Sequence, residues 1–458
     1  MRVGHRLITA VFAAVASIGA AGATAQAIRS TPSSHDISPQ EWRAQQLAAA
    51  DKSDKIMRDA QKQQGLLGQY GMMQLAYDAN HDRAFQLIFG QYLSWYLTYV
   101  GDYDGARSTF SIAQPVQADD GPSPLSGTWQ LRPAADVILE MAKDRKAVFF
   151  NEAHSAPVTR TLTIELLSKL REQGFNYFAA ETLYETDKNL NERGYPVPGT
   201  GFYTNEPLYG EMVRTALRLG YKVIAYDAEN AGVGDLRERA GAQNLYDRVF
   251  KRDPNARLVV NAGFAHVQKT GKYLGGMSMG EFFHKISGID PLTIEQTMMI
   301  QHARTDQDHP YYLAVTRAHL LHEPSVFVSG GKVWALKPDE YDMSVIFPPE
   351  VGASERPEWL RLGGLRAPYG IGGEVCNGHF PCLVEARYAN EGADSIPADR
   401  VVLTVIDPND PNSVTLHATT TGRLFLRAGK YKLTAMDRQG HNVFGREIEI
   451  GTETTAKR

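Results

Sequence analysis

The feature that most constrains this chain is the alternation, over residues 134–287, of short apolar runs with longer amphipathic ones. Helices are expected over 134–143, 157–173, 206–219, 235–250 and 277–287; in the second of these Leu162, Leu166, Leu167 and Leu170 recur at helical spacing. Strands are expected over 147–150, 175–180, 222–226 and 256–261, where the runs are mostly apolar on both faces. A strand with no polar face must be covered on both sides, and parallel neighbours need a long crossover. The intervening helices supply both. The pattern therefore predicts a central, mainly parallel sheet flanked by helices. Mixed strands around 292–298, 324–329 and 332–336 are expected to extend it, giving an α/β domain over 131–346.

At 458 residues the chain is too long for one ordinary domain, and its ends read differently from its middle. Helices are expected over 42–64 and 83–99, the second with Phe85, Ile88, Phe89, Tyr92, Leu93 and Tyr96 at helical intervals. The stretch Gly101–Pro115 resembles the second helix of a tetratricopeptide repeat, with Tyr103, Ala106, Phe110 and Ala113 as interlocking positions. Residues 42–115 are thus expected to form a helical hairpin or repeat-like domain, packed on its neighbour or holding a protein partner. Residues 347–382 read as a linker. Residues 383–452 contain short strands bounded by turns and predict an antiparallel β-sandwich.

Arg2, His5 and Arg6 precede an apolar run from Leu7 that ends in Ala23-Thr24-Ala25. Residues 1–25 are read as an export signal cut after Ala25, so a periplasmic or extracellular location is expected, without stable membrane insertion after cleavage. The loss of Arg2 and Arg6 would take the formal charge from −4 to −6. Cys376 and Cys382, the two cysteines of the chain, are close enough to form one local disulfide in an oxidising compartment. The near-neutral balance of charge offers no field for a nucleic-acid backbone, and no glycine-rich segment has the context of a phosphate loop.

Chemistry is concentrated where the expected strands end. Glu152 and His154 follow the first, Glu181 the second, Asp227 and Glu229 the third, and the run to His266 the fourth. Loops beyond the carboxyl ends of a parallel sheet converge on one crevice, so residues more than a hundred positions apart can meet there. Two carboxylates with two imidazoles can do acid and base work, or hold a divalent metal as four N and O ligands. Arg160 is placed to meet an anionic substrate or to pair with Glu181. Asp227 sits on the expected rim as a helix cap or solvated carboxylate, with substrate binding as the alternative. The insertion 189–207 carries Tyr203 and reads as a substrate-facing lid or a packed surface loop.

The order strand, Asn151-Glu152-Ala153-His154, helix, strand, Glu181, and later strand with Asn261–His266 resembles the broad family that joins erythromycin-esterase-like hydrolases, haem-uptake ChaN-like proteins and Tiki or TraB-like proteins. The similarity runs from roughly Pro133 to Ser287. Asn151 stands where many relatives have glycine. The resemblance implies a shared polar pocket of Glu152, His154, Glu181 and His266. Its esterase branch implies hydrolysis of a small ester or related acyl compound without a cofactor, with His154 as base and Glu181 orienting its ring. Its haem-uptake branch implies a haem- or metal-binding uptake protein, with Tyr184 and Tyr203 as haem ligands. A third reading is a non-catalytic scaffold whose amino-terminal helices bind a protein.

Overall fold

The structure, a computed structural model, describes residues 37–228, 234–350, 356–405 and 421–451. The segment read as an export signal and Glu229 lie outside the described residues. Four helices open the described chain, α1 (Pro39–Ala60), α2 (Leu66–Asp78), α3 (Arg83–Val100) and α4 (Tyr103–Thr109). Then follow β1 (Gln130–Pro133), α5 (Ala134–Ala142), β2 (Ala147–Glu152), α6 (Val158–Glu172), β3 (Tyr177–Ala180), the short α7 (Leu190–Arg193), α8 (Pro207–Arg218), β4 (Lys222–Ala225), α9 (Asp235–Leu245), β5 (Leu258–Gly263), α10 (Met279–Ser287), β6 (Leu292–Glu295), α11 (Pro310–Ala318), β7 (Ser325–Ser329), β8 (Lys332–Val333) and β9 (Met343–Ser344).

The central sheet has six strands in the order β4-β3-β5-β2-β6-β9, and every pair in it is parallel. Alternate residues of each strand face opposite layers, as strand geometry requires. Val148, Phe150, Phe178 and Val259 join the core built with α5, α6 and α8, whereas Phe149, Tyr177, Leu258 and Val260 join the one built with α9 and α10. Burial on both faces explains why these strands read as unbroken apolar runs. The decisive step in topology is that β5 returns between β3 and β2. In register, Glu152 stands opposite Gly263 and Ala180 opposite Asn261, so the ends of three adjacent strands are level.

Two of the late strands do not extend this sheet. β7 and β8 form a separate antiparallel sheet with β1, which the proline- and glycine-rich stretch before residue 134 concealed. The last parallel strand is the two-residue β9, too short to carry a periodic signal. In the amino-terminal unit α2 fills a stretch given no helix by its sequence, and α4 stops at Thr109 because Phe110 turns extended. Gly101 closes α3 at φ 85°, a left-handed conformation that suits glycine. These helices share one core with the central sheet, and Tyr99 Oη donates to the Phe202 carbonyl oxygen at 3.0 Å.

The carboxyl-terminal region has β11 (Cys382–Tyr388), β12 (Asp399–Leu403), β14 (Gly429–Met436) and β15 (Asn442–Ile450) in the antiparallel order β12-β11-β14-β15. A second antiparallel pair joins β10 (Ala367–Gly372), inside the segment read as linker, to β13 (Thr421–Leu426). Leu424 and Leu426 of the pair share a core with Val384 and Leu433 of the larger sheet, and the Cys376–Cys382 disulfide lies in that core. Arg214 ties the region to α8, donating to Glu391 at 2.7 and 2.9 Å. No described helix is long and apolar enough to cross a membrane.

Candidate active site

Glu152 is the last residue of β2 and is buried. Arg160, on the first turn of α6, answers it with two hydrogen bonds, Nε to Oε2 at 2.6 Å and Nη2 to Oε1 at 2.9 Å. Asn261 of β5 adds a third at 3.0 Å. Burial alone would raise the Glu152 carboxyl, but Arg160 and His154 outweigh it and hold it at about 2. Arg160 also donates to Glu206 at 2.8 Å, and Glu206 caps α8 through the amides of Leu208 and Tyr209. Arg160 therefore pairs with Glu152 and Glu206 and not with Glu181. Its guanidinium is 1% exposed and is used up between Glu152 and Glu206.

His154 places Nδ1 2.8 Å from Glu152 Oε1. Its Nε2 points across the strand ends to Glu181 Oε2, 3.8 Å away. The orienting carboxylate is thus Glu152, two residues earlier, rather than Glu181. Tyr203 stacks on the imidazole with centroids 4.0 Å apart, and Phe264 meets it edge-on at 5.1 Å. The insertion 189–207 thus reaches His154 through Tyr203. Gly263 is required here, because a Cβ on it would stand 2.4 Å from the His154 ring.

Glu181 follows β3 and accepts from the Gly263 amide at 2.6 Å and from Arg237 Nη2 at 2.9 Å. Its Oε1 lies 3.4 Å from His266 Nε2. Burial is again outweighed, by His266, His154 and Arg237, and the carboxyl is held well below the usual range. His266 Nδ1 is 2.7 Å from Glu238 Oε2. Burial would lower the imidazole, yet Glu238 and Glu181 together push it up to about 10, so at neutral pH it is a cation. Thr182 and Phe264, the residues after Glu181 and Gly263, have φ of 58° and 46°. Left-handed backbone at two non-glycine residues costs on the order of 1–2 kcal/mol each and marks where the fold bends both loops inward.

Glu152, His154, Glu181 and His266 are thus brought together, and Tyr203 joins them. Asp227 is neither a cap nor a solvated rim carboxylate. It is 6% exposed and paired with Arg237, at 3.1 Å from Nε and 2.7 Å from Nη2. Tyr184 is half-buried, and its amide donates to the Thr200 carbonyl oxygen at 2.8 Å. Arg237 and Glu238 were missed because charges on an amphipathic helix ordinarily face solvent. α9 instead turns both inward. Asn151 also acquires a reason. Its side chain accepts from the Gln296 amide at 2.6 Å and donates to Glu295 at 3.4 Å, tying the residue before Glu152 to the end of β6.

A metal ion here would need both Nε2 atoms and the Glu181 carboxylate, but Arg237 lies 2.9 Å from that carboxylate and 3.3 Å from His266 Nε2. Among the described residues no three His, Cys, Asp or Glu side chains are grouped to hold an ion. The donor set does not fit a metal centre, because a guanidinium already occupies the cation position. For haem, the Tyr203 ring is 2% exposed and packs between His154 and the edges of Trp95 and Phe202. It serves there as a packing surface for the imidazole.

No family model and no curated protein matches this chain. Solved structures similar to it include the type III effector HopBA1, at 15% identity and TM-score 0.27, with 39% of this chain and 94% of that one covered. Another is RRSP, a MARTX toxin effector domain from Vibrio vulnificus CMCP6, also at 15% identity and TM-score 0.27, with coverage of 56% and 45%. A third is a structure of bacterial protein toxins at 19% identity and TM-score 0.27, with coverage of 49% and 46%. The chain thus spans less than half the length of the latter two.

Proposed function

We propose that this protein is a metal-independent hydrolase of a small ester or related acyl compound, acting outside the cytoplasm. The observation that carries the reading is the His154 ring, fixed at Nδ1 by Glu152, with Nε2 turned toward Glu181 and the cationic pair of Arg237 and His266. A carboxylate on Nδ1 sets the tautomer in which Nε2 is free to accept a proton, and stabilises the imidazolium that follows.

Water bound between His154 Nε2 and Glu181 Oε2 gives its proton to His154 as its oxygen attacks the acyl carbon. The carbonyl oxygen becomes negative, and Arg237 with protonated His266 stabilises it. On collapse the bond to the leaving oxygen breaks, and His154 returns its proton to that oxygen. Atoms and charge balance without a cofactor. Tyr203 and Phe264 cover His154, which is 5% exposed, and a crevice of about 30 Å³ bordered by Ala153, Ser155 and Phe264 lies beside it. Substrate entry therefore involves displacement of one of these rings. The disulfide and the apolar leader with its small-residue end support the assignment to an oxidising compartment. The sequence resemblance to erythromycin-esterase-like proteins supports the choice of reaction.

The test is His154→Gln assayed on a panel of small esters, with the fold checked by circular dichroism. Turnover is expected to fall by about 10²–10⁴-fold. Unchanged turnover, or turnover that needs added metal, would overturn the reading.

A further inference from the structure

On the outer side of α6, away from the crevice, a cavity of about 600 Å³ opens between that helix, residues 321–324 and residues 357–364. Val158 and Leu162 of α6, with Phe347 and Trp359, give it apolar walls. Its size is that of a small-molecule pocket. Two carboxylates line it without a hydrogen bond or ion pair among the described residues, Glu165 from α6 and Glu323 from the facing segment. Glu165 is part-buried, and its Oε2 would lie 3.2 Å from a Cβ on Gly363. Glu323 is exposed at the rim of the cavity, and the other charges there are matched within the chain or likewise open to solvent. Arg107 holds Asp104 at 2.7 Å and Glu350 at 3.1 Å, Arg361 and Arg423 hold Glu358, and His322 is exposed.

We propose that this cavity binds a small organic cation, its ammonium head between Glu165 and Glu323 and its apolar body against Phe347 and Trp359. Two unmatched carboxylates beside aromatic walls complement a cation that brings its own apolar surface. A bare divalent ion fits less well, because it takes six or more oxygen ligands and gains nothing from those walls. The inference does not depend on the hydrolase reading, since none of its residues belongs to the Glu-His crevice.

Binding also has a pH signature. Burial, with Glu323 second, raises the Glu165 carboxyl to about 7. Below that pH Glu165 is neutral and attracts no cation, and above it the attraction is present, whereas an alkylammonium stays protonated throughout. The experiment is calorimetric titration of the full chain with 4-phenylbutylamine, with 4-phenylbutan-1-ol as the uncharged control and calcium as a bare cation. The amine is expected to bind 1:1, about tenfold or more tightly than the alcohol, and to tighten from pH 6 to 8. Glu165→Gln should remove that preference, and Glu323→Gln, at the rim, should weaken it without risk to the fold. Equal binding of amine and alcohol, retention of the preference in both variants, or binding of calcium alone would overturn the proposal.

Discussion

His154 and His266 are each held at Nδ1 by a glutamate, 2.8 Å from Glu152 and 2.7 Å from Glu238, yet what stands behind the two glutamates differs. Glu152 is already matched by the bidentate Arg160. Glu238 meets the His266 ring and the Met279 amide, the latter at 2.9 Å, and a second carboxylate, Glu181, which Arg237 holds at 2.9 Å, faces the other side of that ring. The two carboxylates that flank the ring, Glu238 and Glu181, are what keep His266 protonated. The same local pair therefore yields a fixed cation on one side of the crevice. On the other side it yields an imidazole whose partner charge is spoken for.

Three experiments sharpen or break that comparison. The largest effect is expected from Arg160→Met, which leaves the buried Glu152 and Glu206 without the guanidinium that pairs with both. Chemical denaturation should show a loss of about 3–5 kcal/mol, and Glu152→Gln in the same chain should recover part of it. A loss under about 1 kcal/mol, the range of an exposed ion pair, would mean that Arg160 does not neutralise Glu152. Next is Gly263→Ala, whose added Cβ meets the His154 ring at 2.4 Å and Glu181 at 2.9 Å. Overpacking of this kind costs about 1–3 kcal/mol, and here it should also reduce kcat with little change in KM, because it moves the reacting ring. Unaltered kinetics would place the ring elsewhere.

The third effect, small per pH unit, is a slope in stability with pH. His266 has its folded pKa raised to about 10 from the ordinary imidazole value of 6.5. Its contribution is fully present below pH 6.5 and lost as pH rises through 10, at most about 1.4 kcal/mol per pH unit for one proton. His266→Gln should flatten that alkaline decline. The Glu152 carboxyl, held at about 2 against an ordinary value of 4.5, acts at the other end. Its contribution is present above pH 4.5 and disappears as pH falls through 2, so the acid limb should survive in His266→Gln. A His266→Gln variant with the same alkaline slope as the parent would show that the His266–Glu238 pair does not set it.

Much of the fold was legible because its signals are local. The expected strand at 147–150 became Ala147–Glu152 and the expected helix at 157–173 became Val158–Glu172, since apolar period and turn residues act within a few positions. β1, β9 and β10 escaped notice. Each is short, or sits among prolines and glycines, and is a strand only through its distant partner. The site divided in the same way. Residues at strand ends could be found, whereas Arg237 and Glu238 lie on a helix whose polar side ordinarily faces water.

The sequence by itself determined that a parallel sheet would form here and that Glu152, His154, Glu181 and His266 would leave its strands at one end, because strand ends and helix spacing are written in the order of residues. Only the tertiary structure decided which charge each imidazole meets. Placing β5 between β3 and β2, and turning α9 so that Arg237 and Glu238 face inward, set those distances to within a few ångströms. Electrostatic roles follow distance and burial, and neither can be read from spacing along the chain.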